Sequence, residues 1–280
     1  MKIRSVLFLL VFLTTGCSGL LFHPEKQLIW TPAVWKFPYE NLSIGTPDGI
    51  ALHGWHIPAY CEGKTPCPSD AVILYLHGNA ENISSHTISV VWLIAHGYDL
   101  VALDYRGFGK SEGSVSLSGA ESDIRTAIDY LLEKYPDKPL FVFGQSIGAS
   151  LTVSAVAKYE RQDKIAGVII DSPFAKARKI AREKVAQIWF LWPLQYPLSF
   201  LVPENDAEGN VAKITVPKLF MTTEDDQVVP PHHTLDLYAK AVQPKILEIT
   251  ETGGHIRALD NINVKNTLLD FLKKNSSQKR

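Results

Sequence analysis

Short, unbroken apolar runs recur along the chain: Ala71-Val72-Ile73-Leu74-Tyr75-Leu76, Leu140-Phe141-Val142-Phe143, Val168-Ile169-Ile170 and, after Lys218, Leu219-Phe220-Met221. Runs of this length without polar alternation predict strands covered on both faces. The expected strands are 71–76, 99–103, 140–144, 165–171, 216–222 and 245–250. An antiparallel pair precedes them at 42–46 and 50–58, turning at Pro47-Asp48-Gly49. Helical periodicity falls between the strands, at 82–96, 117–135, 147–159, 231–242 and 256–274. Strands alternating with helices predict an α/β fold: a mainly parallel sheet of about eight strands with helices on both faces.

One segment breaks the alternation. Residues 175–213 open with Lys176, Arg178, Lys179, Arg182 and Lys184 and then run apolar from Ile188 to Val202. Pro193 and Pro197 prevent one long helix there. Two readings stay open: a solvated helix followed by residues packed on the core, or an apolar cap in which Trp189, Phe190, Trp192 and Phe200 receive acyl chains or a lipid surface.

Length and composition change little. The chain has 280 residues, enough for a single α/β domain with a full core. Its net charge of −1 leaves no electrostatic footprint for nucleic acid. No Cys/His spacing suggests zinc, and no metal or other cofactor is expected.

The chemistry begins at Gly144-Gln145-Ser146-Ile147-Gly148, between the run 140–143 and the small-residue helical pattern from Ala149. A Gly-x-Ser-x-Gly turn between strand and helix strains the backbone, exposes the serine hydroxyl and lets strand and helix close together. Serine is a weak nucleophile until a base takes its proton and a third group orients that base. On such an elbow the chain order is serine, acid, histidine. His255, on Thr252-Gly253-Gly254 beyond a strand end, is the expected base. His232 and His233, at a helix start after Pro230-Pro231, read as surface residues. Three acids share the loop Glu224-Asp225-Asp226; Asp226, in its Asp-x-Val-Val-Pro setting, is the expected orienter, with Asp225 the runner-up. Asp171, after Val168-Ile169-Ile170, is a lesser alternative for the acid and is read instead as a polar residue at the cap's mouth. The expected oxyanion donors are the amides of Ile147, after the nucleophile, and of Asn79, with Ala80 beside it. His77 precedes the nucleophile and is read as structural, bonded to its own loop.

These segments, together with Leu76-His77-Gly78-Asn79-Ala80-Glu81-Asn82 and Asp104-Tyr105-Arg106-Gly107-Phe108-Gly109-Lys110-Ser111-Glu112-Gly113, resemble the α/β-hydrolases. The nearer likeness is to the branch containing dienelactone hydrolases and serine aminopeptidases. The resemblance implies an esterase, thioesterase, lipase or peptidase that needs no metal, acting on a small ester or acyl substrate. Thr222-Thr223 departs from the His-Gly that often precedes the acid in that family. The expectation is a serine hydrolase of carboxylic esters or thioesters. Two alternatives are a small-peptide peptidase and a catalytically silent envelope lipoprotein acting as a binding module.

The N-terminus points to the envelope. Lys2 and Arg4, the apolar Val6–Leu13 and the small residues before Cys17 read as a secretory signal too short to span a bilayer. The cysteine resembles a bacterial lipobox, which implies a lipidated Cys17 and membrane attachment. Ser18 resembles sorting to the outer membrane, facing the periplasm. Cys61 and Cys67 then remain as a pair for an oxidising compartment. The expected organisation is a signal peptide at 1–16, a tether at 17–41, the hydrolase domain at 42–274 with its cap at about 175–213, and a flexible tail at 275–280.

Overall fold

The computed structural model describes residues 21–61 and 67–277. Cys17 and the expected signal peptide at 1–16 lie outside the described residues.

Eight strands form one sheet: β1 (Glu40–Gly45), β2 (Ala51–Ile57), β3 (Ala71–Leu76), β4 (Tyr98–Leu103), β5 (Leu140–Gln145), β6 (Ile165–Asp171), β7 (Lys218–Thr223) and β8 (Lys245–Thr250). Their spatial order is β8-β7-β6-β5-β3-β4-β2-β1. β2 runs antiparallel to both of its neighbours, and the other pairings are parallel. This is the architecture that the sequence pattern and the family resemblance imply.

The continuous apolar runs are explained by two cores. Val72, Leu74, Leu76, Leu140 and Val142 face one core, with α1 (Leu117–Lys134) and α2 (Ile147–Ala157). Their alternates Ile73, Tyr75, Phe141 and Phe143 face the other, with Val264, Leu268 and Phe271 of α5 (Ile262–Ser277). Successive strand residues point to opposite faces, so a strand covered on both must be apolar throughout. Between these helices in the chain lie α3 (Ala177–Ala186) in the cap and α4 (His232–Lys240) after β7.

Three expectations are corrected. The helix expected over 82–96 is an α-turn, Ile83–His86, followed by 3-10 segments Thr87–Ser89 and Val91–His96. Side chains there compete for the backbone: Thr87 Oγ1 donates to Ile83 O at 2.6 Å and Ser89 Oγ to His86 O at 2.9 Å. The described part of the 17–41 tether is not a free linker. Phe22 is buried against Phe108, His23 pairs with Ala80, and Trp30 packs on Trp35 and Trp55. The expected flexible tail is helical through Ser277, with Asn275 and Ser276 buried and their side chains bonded to Phe271 O and Leu272 O.

Candidate active site

Ser146 links β5 to α2 with φ 56° and ψ −123°, a left-handed φ that is strained for a residue with a side chain. Two glycines make the turn possible. A Cβ on Gly144 would lie 2.4 Å from Gly148 O, and one on Gly148 would lie 2.4 Å from Leu76 O and 2.5 Å from His77 O. Strand, helix and the loop after β3 therefore meet with no room for a methyl group. The Ser146 amide donates to Asp171 O at 2.8 Å, tying the elbow to the end of β6.

The structure brings Ser146, His255 and Asp226 together from three strand ends. His255 Nε2 lies 2.8 Å from Ser146 Oγ, and His255 Nδ1 lies 2.8 Å from Asp226 Oδ2. A carboxylate only accepts, so Nδ1 carries the proton and Nε2 is free to accept from the serine hydroxyl. The Asp226 side chain is fully buried, and its Oδ1 accepts the amides of Val228 and Val229, both at 2.9 Å. With one oxygen held by backbone donors, the other is aimed at His255.

Asp225, the alternative orienter, turns the other way. It accepts the amides of Gly253 at 3.2 Å and Gly254 at 2.8 Å, which hold its carboxyl below the usual range. It therefore shapes the loop that presents His255 and does not touch the ring. Thr223 assists, donating to Gly254 O at 2.9 Å. The Thr222-Thr223 departure from the family's pattern thus supplies a fastening for the histidine loop.

The loop after β3 lies beside the serine: a Cβ on Gly78 would stand 3.8 Å from Ser146 Cβ. Asn79 is pinned by the N-terminal strap, its carbonyl accepting from His23 N at 2.7 Å. Ile147 is the first residue of α2, where the amide has no acceptor within its helix. His77 is fully buried, with Nδ1 donating to Gly78 O at 2.8 Å, the loop-bonding role expected of it.

Asp171 does not line the mouth of the cap. It is wholly buried beneath the elbow, where its Oδ2 accepts from Gln145 Nε2 at 2.8 Å and its Oδ1 from Ser172 Oγ at 3.1 Å. Burial pushes its carboxyl up to about 6, against the lowering effect of Gln145. Gln145 Oε1 in turn accepts from Tyr75 at 2.5 Å and Ser89 at 3.0 Å. This buried chain was missed by sequence reasoning. Its one signal was an acid at the end of an otherwise apolar strand.

His233 is also misplaced by the sequence. It is buried, accepts Ala175 N at Nδ1 (3.2 Å), and meets Glu183 Oε2 at 2.9 Å through Nε2. His232 is the exposed neighbour, 3.1 Å from Glu183 Oε1. The ligand atoms of Glu183, His232 and His233 lie within 4.8 Å of one another. With Nδ1 accepting, however, His233 carries its proton on Nε2, so neither ring nitrogen offers a free lone pair to a cation. The cluster latches α3 to α4, assisted by Lys179 to Asp236 at 2.5 Å and Lys184 to Gln227 O at 2.6 Å.

The cap aromatics are not packed on the core. Trp189, Phe190, Trp192 and Phe200 are each at least 60% exposed. Trp189 meets Phe190 edge-on, and Phe200 lies under Arg178, both contacts within the cap. Cys61 and Cys67 are joined by a disulfide.

The chain is 31% identical to YfhR, an uncharacterised protein of Escherichia coli K12, over 93% of this chain and 89% of that one. The family model for serine aminopeptidase, S33, matches residues 68–199, from the approach to β3 into the cap. The chain belongs to the α/β-hydrolase superfamily. A second relative of this hydrolase is the lysophosphatidylserine lipase ABHD12 of Danio rerio, 31% identical over 75% of this chain and 58% of that protein. Among solved structures, an esterase of Pyrococcus furiosus superposes with a TM-score of 0.74, covering 91% of this chain and 98% of that one at 23% identity. That likeness is one of fold.

Proposed function

We propose that this α/β-hydrolase cleaves carboxylic esters or thioesters through an acyl-enzyme on Ser146. The observation that carries the reading is the unbroken series from Ser146 Oγ to His255 to Asp226, each link 2.8 Å. His255 takes the hydroxyl proton as Ser146 attacks the carbonyl, then gives it to the leaving group. Buried Asp226 fixes the tautomer of His255 and stabilises its charged form. The amides of Ile147 and Asn79 receive the oxyanion in this reading, and the N-terminus of α2 at Ile147 favours the negative charge. Water, activated by His255, releases the acid.

The relative that supports this reading is a lipase. The family model, built on serine aminopeptidases, favours a second reading: hydrolysis of small peptides. A panel of aryl esters of graded acyl length, run beside aminoacyl amides, separates them. Ester kcat/KM well above amide kcat/KM supports the first reading, and the reverse supports the second. Absence of turnover on both, with Ser146 unreactive, leaves a silent binding module. We place the protein in the bacterial envelope, lipidated at Cys17 and facing the periplasm from the outer membrane. Intact mass of membrane-extracted protein tests this: a soluble product starting elsewhere than Cys17 removes the anchor.

A further inference from the structure

Eight of the eighteen large exposed hydrophobics among the described residues lie between Ile188 and Leu201. Trp189 is 85% exposed and Phe200 66%. A contiguous apolar patch of this kind on a folded chain marks a surface that something else covers.

What covers it is indicated by the charges of the helix that precedes it. From Ala175 to Val202 there are five basic residues, Lys176, Arg178, Lys179, Arg182 and Lys184, and one acid, Glu183, in a chain whose net charge is −1. The Arg178 guanidinium lies 5.3 Å from the Phe200 ring centre, and that of Arg182 lies 5.1 Å from Tyr196. The acids that face this stretch from elsewhere are Glu204, Asp206 and Asp236, paired with Arg178, Lys176 and Lys179 respectively, while Glu183 is occupied by the two histidines. Arg182 is thus the cation held over a ring without an acid among these pairs. Tryptophan and phenylalanine beside arginine is the composition of a surface that lies in a lipid headgroup layer, with rings at the acyl boundary and cations among the phosphates. A second copy suits it less well, because the acids of this face are already paired and self-association would supply none for Arg182.

We propose that this face of the cap docks on an anionic phospholipid bilayer. The docking does not depend on catalysis by Ser146. Lys184 of α3 donates to Gln227 O at 2.6 Å, which joins the helix preceding these rings to the loop that carries Asp226.

The test is tryptophan quenching by phospholipids brominated in the acyl chains, using the full chain as Ser146→Ala so that no lipid is consumed. Vesicles of phosphatidylcholine are compared with vesicles containing phosphatidylglycerol. Bromine should quench the emission in the anionic vesicles, and Trp189→Phe/Trp192→Phe should lose that quenched component, which an N-terminal anchor alone would not supply. Arg178→Gln and Arg182→Gln should each weaken the preference for phosphatidylglycerol by about fivefold. Quenching unchanged in the double Phe variant would place both rings outside the bilayer and overturn the proposal. Equal quenching with and without phosphatidylglycerol would remove the anionic surface. A concentration-dependent dimer, with no quenching and abolished by Trp189→Ser, would assign the face to a second copy.

Discussion

At the serine elbow the chain is pinned on every side. The Ser146 amide is bonded to β6, its glycine neighbours have no room for a methyl group, and the acids beneath it and beside it are fully paired. In the cap, large rings stand in solvent and contact mainly one another and the arginines. A buried polar site is specified from within, because each unpaired group would cost about 1–3 kcal/mol. An exposed apolar face is specified from outside, by what it meets. The elbow should therefore fail when a partner is removed, whereas the cap should change what is accepted without failing.

The largest expected effect is on the two neighbouring acids. Asp226→Asn should lower kcat by roughly 10⁴-fold, the cost of losing the orienting acid. Asp225→Asn should cost far less, since its carboxylate supports the Gly253-Gly254 turn and not the ring. Steady-state kinetics on one aryl ester compares them, and equal losses would mean that the loop, not the carboxylate on His255, limits turnover.

Next is Gly148→Ala. The new methyl would press on Leu76 O and His77 O, both backbone atoms that cannot swing aside. Overpacking of this kind costs about 3 kcal/mol, read as a shift in urea midpoint, with activity lost alongside. A variant of unchanged stability would show that the elbow is looser than its geometry.

Asp171 gives a pH test of the same region. Its folded value is about 6 against an ordinary 3.8, so the native state binds more protons between those pH values. Its contribution is therefore most favourable below pH 3.8 and becomes unfavourable as pH rises to about 6, by up to about 3 kcal/mol. Relative to wild type, Asp171→Asn should gain stability across that window in chemical denaturation. A difference independent of pH would mean that Asp171 stays charged throughout.

Smallest is the cap. If the rings select acyl groups, medium-chain esters should exceed acetyl esters, since each buried methylene contributes up to about 0.8 kcal/mol. Trp192→Ala should flatten that trend without removing turnover. An unchanged chain-length profile would leave these rings to the membrane alone.

What the sequence could disclose follows the same division. Ser146 was legible because its motif is local, with strand, glycines and helix adjacent in the chain. His255 and Asp226 were legible through fixed chain order and glycine content. The role of Asp225 in bracing the Gly253-Gly254 turn was not, because its partners lie on another loop and only the meeting of the two loops shows them. Asp171 and His233 were misplaced for a related reason: their partners, Gln145 and Glu183, come from other elements. The broken helix at 83–96 reflects serine and threonine side chains bonding the backbone, a local competition that apolar spacing does not register. The apolar run in the cap left two readings open because composition does not say which surface covers a ring.

The central claim is that His255 activates Ser146 and no other serine. A fluorophosphonate that reacts with activated serines, followed by intact-mass and peptide mass spectrometry, tests it directly. The account predicts one adduct on wild type, on the peptide containing Ser146, and none on folded Ser146→Ala. Labelling that persists in the folded variant, or that maps to another serine in wild type, would contradict it.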